Sequence, residues 1–405
     1  MMFEWTPERI RYQIQEYENG NMPSVLASVV SSRCAGTICD VGCGVGFLSL
    51  ALAGFGRSVV AVDTSHLVLE YLRSAASPSV SVLEGDVHAL VPENPYGTMV
   101  CWNYGSLIEC LALAKTQCSG TLVIIRKNWS GHRFSNQLSA MVDNPSNSTR
   151  LLLSSLSVPF TSQDVTAEDG PRFIDKEDAA RFFSLYDTTF PSDELASRLV
   201  PITGNCALRY PLRSTYTCFF IPVSSIPFFP GLTNVLVCGE RGIGKSTLID
   251  FLFPDKGSAT GFQTKKVGND VYLNAPGSRF HDEAHLVGHC AEMRGKGIPS
   301  AFDEWGCRCL SFPGAWRVMD EIGFLENDAL RFRSAVLSAL EDDISTICAV
   351  KDKDTLFLNE VRSGKKSLLL HLTAENRDAW KRELQRAIPL VPEWRFALAV
   401  RPYLS

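Results

Sequence analysis

The chain lacks a long hydrophobic run, an excess of basic charge, a low-complexity tract and an internal repeat, and only 13 of its 405 residues are cysteine. Each shortage excludes something. The most apolar stretch, Phe219–Val237, is broken by Pro222, Pro227 and Pro230, so nothing approaches the ~20 apolar residues of a membrane span. Thirteen is an odd number and far below the density of a disulfide scaffold. Cys39, Cys43, Cys101 and Cys238 sit in or beside apolar runs, where a reduced thiol behaves as a small hydrophobe, and this usage predicts a reducing, cytoplasmic compartment. The opening MMFEWTPERIRYQIQEYENG carries charge throughout and has neither the apolar core of a secretory signal nor the Arg-rich character of a transit peptide. The N-x-[ST] matches at Asn128 and Asn147 therefore read as chance. Residues 1–225 hold 16 Lys+Arg against 21 Asp+Glu, and residues 226–405 hold 23 of each, so neither half has the basic surplus that grips phosphate backbones.

What remains is ordinary globular usage, with 45% hydrophobic, 20% charged and 10% aromatic residues. At roughly 100 to 200 residues per domain, the length predicts two or three compact units. Two strand–glycine–helix openings, near residues 40 and 239, are each followed by the alternating apolar runs and helical patterns of α/β units. Between them Ile221–Leu232 is dense in proline and serine and reads as a linker. The expected division is 1–225 and 226–405.

In the first half, residues 36–53 read as a buried strand, a glycine-rich turn and a helix. Asp40 opens the turn, and Gly42, Gly44 and Gly46 allow a tight bend with close approach of backbone to a ligand. A second apolar strand, Ser58–Val62, ends in Asp63, where doubly wound folds hold a ribose diol. A third, Val80–Gly85, ends in Asp86 followed by Val87. The G-x-G-x-G spacing differs from the G-x-G-x-x-G expected of a nicotinamide-binding domain. This ordered set resembles the Rossmann-like class of S-adenosylmethionine-dependent methyltransferases over about 220 residues. The resemblance implies that Asp40 and the Gly42–Gly46 backbone face the methionine end, that Asp63 takes the ribose hydroxyls and that Asp86 takes the adenine amino group. It also casts residues 207–212 and 215–223 as the family's closing antiparallel hairpin. After the fourth strand stands Cys101-Trp-Asn-Tyr-Gly-Ser106, where Asn103 and Tyr104 occupy the place of the Asn/Asp-Pro-Pro-aromatic motif of nucleic-acid amino-methyltransferases, but both prolines are missing. A nucleic-acid acceptor is thus disfavoured, and a small molecule or protein is expected. Trp102 and Tyr104 read as pocket wall, and no catalytic base is evident, because methyl transfer often needs only positioning of two reactants.

In the second half, Asn234–Cys238 leads into Gly239-Glu-Arg-Gly-Ile-Gly-Lys-Ser-Thr247 and the helix Leu248–Phe253, a complete G-x-x-x-x-G-K-[ST] in its strand–loop–helix context. Backbone N–H groups of Gly239 to Thr247, including Arg241, Gly242 and Gly244, favour phosphates; Lys245 reaches the β and γ phosphates and the Ser246 hydroxyl takes Mg²⁺. A later strand, Trp316–Met319, ends in Asp320-Glu321, an acid that holds Mg²⁺ followed by a carboxylate placed to deprotonate an attacking water. Val350-Lys-Asp-Lys-Asp354 has the wrong spacing for the guanine-reading Asn-Lys-x-Asp. Together with Gly261–Val267, Asp320–Glu326 and Thr373-Ala-Glu-Asn-Arg377, these motifs resemble the cancer-related nucleoside-triphosphatase family of P-loop enzymes across roughly 231–390. That likeness implies Mg²⁺-dependent hydrolysis of ATP or another nucleoside triphosphate, with Arg377 and Arg241 as candidates for stabilising charge on the transferred phosphoryl group.

The fold class expected is therefore α/β in two domains, a Rossmann-like methyltransferase sheet with an antiparallel hairpin and a P-loop NTPase sheet. Residues 268–310 depart from the second family. There His281, His285 and His289 are spaced four apart and would share one face of a helix, near Cys290, Cys307 and Cys309. A metal site, an anion-facing stripe and a solvated helix face all fit this pattern. The leading function is a bifunctional enzyme. The alternatives are an NTP-driven maturation factor with a donor-binding scaffold, and a small-molecule kinase in which Glu321 activates a hydroxyl.

Overall fold

The computed structural model describes residues 5–390 apart from 19, 130–143, 186–187, 189, 205, 227–230, 279–282 and 292–293. Its residues group into two compact units, one chiefly of residues 1–226 and one chiefly of 227–405.

Among the described residues, the first unit is built on a seven-stranded sheet. Its strands are β1 (Ile38–Val41), β2 (Val59–Asp63), β3 (Val80–Glu84), β4 (Tyr96–Trp102), β5 (Cys118–Lys127), β6 (Thr161–Asp169) and β7 (Leu212–Pro222), in the order β3-β2-β1-β4-β5-β7-β6. The first five run parallel. β7 is antiparallel to both β5 and β6. Parallel strands covered by helices on both faces carry near-continuous apolar sequence, and β1 is buried at all four residues, Asp40 included. Leu26, Val30, Leu48, Leu52, Val68 and Leu72 from the helices Met22–Arg33, Phe47–Gly54 and His66–Ala75 pack against it. A second cluster gathers Tyr12 with Phe173, Phe182 and Phe183.

The fold class is as expected, and the hairpin pairing is corrected. β7 pairs with Thr161–Asp169, whereas Leu208–Arg209 belongs to a separate three-stranded sheet with Arg172–Phe173 and Val200–Pro201. The partner was hidden because β6 is an edge strand in which, among the side chains described, only Val165 and Ala167 of TSQDVTAED join the core. The first two residues read as linker, Ile221 and Pro222, end β7 instead, and Ile221 is fully buried.

The second unit has an eight-stranded sheet among the described residues. β8 (Asn234–Gly239), β9 (Ala259–Val267), β10 (Asp270–Asn274), β11 (Leu286–Ala291), β12 (Arg294–Gly297), β13 (Trp316–Ile322), β14 (Thr346–Val350) and β15 (Ser367–Leu372) lie in the order β12-β11-β10-β9-β13-β14-β8-β15. β9, β13, β14, β8 and β15 are parallel, and β10 to β12 extend the sheet as antiparallel strands.

That extension corrects the helical reading of the histidines. Leu286-Val-Gly-His-Cys-Ala forms β11, paired on both sides, and His285 closes a short 3-10 turn before it. Gly288 disfavours a helix, while a Cβ there would stand 2.9 Å from the Lys296 carbonyl oxygen, so glycine suits close strand packing. His281 lies outside the described residues. No described helix is long and apolar enough to cross a membrane.

Candidate active sites

A cavity of about 560 Å³ lies at the carboxyl ends of β1 to β4. It is lined by Asp40, Gly42, Gly44, Asp63, Asp86, Val87 and Asn103, seven of the residues singled out in the sequence, with Trp102 and Tyr104 as wall. Gly46 is not in the lining. It caps the helix Phe47–Gly54 in the left-handed region at φ 78°, and a Cβ there would fall 2.3 Å from Leu72 Cδ1.

The glycine turn and the second-strand acid are locked together. Asp63 Oδ2 accepts from the Gly44 N–H at 2.9 Å, and Oδ1 accepts from the Ser65 N–H at 2.9 Å. Each oxygen retains a second lone pair for a ligand. Asp40 is buried, and Ser49 Oγ donates to its Oδ2 at 2.6 Å. Burial pushes its carboxyl up to about 6, with nearby Asp63 adding to the rise and Ser49 opposing it. Asp86 Oδ1 accepts from the His88 N–H at 3.0 Å. Asn103 holds φ 53°, unusual for a residue with a side chain, at the tip of β4.

Trp5, Gln13 and Tyr17, from the start of the chain, are lining residues that carried no sequence motif. Gln13 and Tyr17 belong to the helix Pro7–Glu18, and Tyr17 packs against Phe47 and Trp102 at 5.5 and 5.6 Å between ring centroids. Trp5 and Tyr17, two of the aromatic residues of this leading segment, were the available signal.

In the second unit the glycine loop joins β8 to the helix Lys245–Leu252, whose cap is again a left-handed glycine, Gly244 at φ 105°. Lys245 is buried. Its Nζ donates to the carbonyl oxygens of Gly239 at 2.9 Å and Glu240 at 3.2 Å and pairs with Glu321 Oε1 at 3.1 Å. Ser246 Oγ donates to Asp320 Oδ1 at 2.8 Å. Burial pushes the Asp320 carboxyl up to about 6, aided by neighbouring Glu321 and opposed by Ser246. The Glu321 N–H donates to Thr264 Oγ1 at 3.1 Å, and its Oε2 lies 3.7 Å from Lys351 Nζ, a cation the sequence reading left unused.

β13 and the loop thus bring Lys245, Ser246, Asp320 and Glu321 together. Arg241, Gly242 and Thr247 are exposed on the loop and first helical turn. Arg377 opens the helix Arg377–Ala387, half exposed, with Nε 3.9 Å from the Asp378 carboxylate; among the described residues no hydrogen bond or ion pair joins it to the loop. The histidines also stand apart. His285 stacks on Trp305 at 4.2 Å and 5°, and His289 Nδ1 lies 2.7 Å from Asp270 Oδ1.

With these geometries in hand, family models match both units. The methyltransferase domain matches residues 38–115, and the NTPase matches residues 315–385. The chain is therefore a fusion of a methyltransferase domain with an NTPase domain, both of enzyme families. A comparison with curated proteins finds no match. Among solved structures, THEP1 from the hyperthermophile Aquifex aeolicus is 21% identical, covering 39% of this chain and 99% of its own, with a TM-score of 0.33. A protein of unknown function from Deinococcus radiodurans R1 is 14% identical over 50% of this chain and 88% of its own, with a TM-score of 0.33. The CcbJ methyltransferase from Streptomyces caelestis is 15% identical over 49% and 89%, with a TM-score of 0.27.

Proposed function

We propose that residues 1–225 transfer a methyl group from S-adenosylmethionine to a small-molecule or protein acceptor, and that residues 226–405 hydrolyse nucleoside triphosphates with Mg²⁺. The observation that carries the first half is the convergence of Asp40, Asp63 and Asp86 on one cavity. Three carboxylates suit a ligand bearing a cationic sulfonium, an ammonium, a ribose diol and an exocyclic amine. Trp102 and Tyr104 supply aromatic wall to the same cavity. In this reading Asp40 holds the ammonium, both Asp63 oxygens accept from the ribose hydroxyls and Asp86 accepts from the adenine amine beside Val87. The Gly42 to Gly46 turn and Asn103 frame the methionine end. The bound donor supplies an electrophilic methyl group; the chain positions the acceptor and excludes water.

The second half rests on the Lys245–Glu321 and Ser246–Asp320 pairs. The residues present fit Mg²⁺, because a hydroxyl and a carboxylate are hard oxygen donors and a desolvated Asp320 gains from a cation. Ser246 and Asp320 would hold it, and the ion would offset charge on the phosphates. Lys245 exchanges its two carbonyl partners for β and γ phosphate oxygens while the amides of Gly239 to Thr247 cradle the chain of phosphates. Glu321, released from Lys245, accepts the proton of the attacking water. Arg241, on the loop, and Arg377, outside it, are candidates for meeting the transferred phosphoryl group. The test is free phosphate release from ATP, GTP and CTP with no acceptor present. Glu321→Gln should keep nucleotide bound and cut turnover by about 10²–10⁴-fold, the usual worth of a general base; undiminished turnover removes Glu321 from the mechanism.

A further inference from the structure

Cys238, Asp352 and His371 lie far apart in sequence, and each offers a ligand atom within 4.8 Å of the others. The sheet explains the meeting. β14, β8 and β15 are adjacent and parallel, with Val237 opposite Ala349 on one side and Cys238 opposite His371 on the other. Each strand contributes one ligand at its carboxyl end: Asp352 just after β14, Cys238 in β8 and His371 in β15. Cys238 is buried while Asp352 and His371 reach solvent, so the cluster has a floor and an open side.

We propose that Cys238, Asp352 and His371 form a binding site for a transition-metal ion of the zinc type. One sulfur, one imidazole and one carboxylate make a borderline-soft donor set, which selects zinc or cobalt over magnesium. Ligand arms of about 2.0–2.3 Å around a tetrahedral ion put donor atoms about 3.3–3.8 Å apart. His371 Nε2 and Asp352 Oδ2 already stand 3.8 Å apart, so the site closes with small side-chain movements. Binding displaces the thiol proton of Cys238 to solvent and leaves the fourth tetrahedral position open.

Arg362 is the group that argues against the site, because its Nη1 lies 3.9 Å from Cys238 Sγ and 3.5 Å from Asp352 Oδ1. The rest of its guanidinium is held elsewhere, by Leu358 O at 3.1 Å, Asn359 Oδ1 at 3.0 Å and Lys353 O. Arg362 therefore has other anchors when an ion takes the thiolate, and its Nη1 stays near Asp352 Oδ1 while Oδ2 is the oxygen nearer His371. Cys238 immediately precedes the phosphate loop, yet the site shares no ligand with Ser246 or Asp320 and does not depend on the nucleotide reading.

The experiment is titration of the chelator-stripped full-length chain with Co²⁺ and then Zn²⁺. One ion per chain is expected, with a thiolate-to-cobalt charge-transfer band that zinc abolishes. Cys238→Ser should remove the band, and His371→Ala should weaken binding at least tenfold. Failure to bind, or a band that persists in Cys238→Ser, overturns the proposal. Should Cys238→Ser disturb the fold, the exposed His371→Ala variant decides alone: unchanged affinity there is equally fatal.

Discussion

Both units use the same backbone device, a glycine turn that ends in a left-handed glycine at a helix N-terminus, Gly46 in one and Gly244 in the other. They differ in what surrounds the turn. In the first, the turn amide of Gly44 is engaged by a carboxylate, Asp63, and two more acids line the cavity. In the second, a buried lysine fills the loop and is matched by Glu321. In the proposed functions the same helix-terminus geometry would serve opposite ligand charges, with the side chains deciding which. An acid-lined turn repels a triphosphate and accepts a cationic nucleoside; a lysine-filled loop does the reverse.

The comparison can be broken most severely at Lys245. Lys245→Ala should lower nucleoside triphosphate hydrolysis by roughly 10³-fold or more, since a preorganised cation on the transferring phosphate is lost. Affinity for S-adenosylmethionine should stay unchanged, as judged by calorimetry on the same preparation. Loss of both would mean that the sites are not distinct.

A smaller effect sharpens the first site. The Asp40 carboxyl titrates at about 6 in the folded protein against an ordinary 3.8. Between those values the folded chain holds a proton that the unfolded chain has released, so this group stabilises the ligand-free protein as pH falls through 6 and loses that contribution as pH rises. Donor binding runs the other way. An ammonium group needs Asp40 ionised, so affinity for S-adenosylmethionine should fall below pH 6, by at most about tenfold per pH unit. An analogue without the α-amino group should show a flat profile, and a sloping one would move the ammonium away from Asp40.

The candidate site loops were readable because their residues are contiguous: Gly-Lys-Ser in one stretch, Asp-Glu in another, and one acid at each of three strand ends. Sequence pattern located the parallel strands because β1 and β8 are short runs, buried throughout and apolar apart from Asp40 and Asn234. What escaped depends on pairing at a distance. β6 presents alternating polar residues because it is an edge, so its union with β7 was misplaced onto residues 207–212. The histidine spacing of four mimicked a helix, although β11 gains its stability from partners on both sides. Trp5 and Tyr17 reach the cavity from a segment with no motif, and Cys238, Asp352 and His371 meet only because three strands lie side by side.

The claim that acid and lysine divide the two ligands is tested most directly by Asp63→Ala in the full chain, titrated calorimetrically with S-adenosylmethionine and with Mg·ATP. The account predicts at least a hundredfold loss of donor affinity, the scale of two charge-assisted hydrogen bonds, with Mg·ATP binding unaltered. Unchanged donor affinity in a folded variant would contradict it.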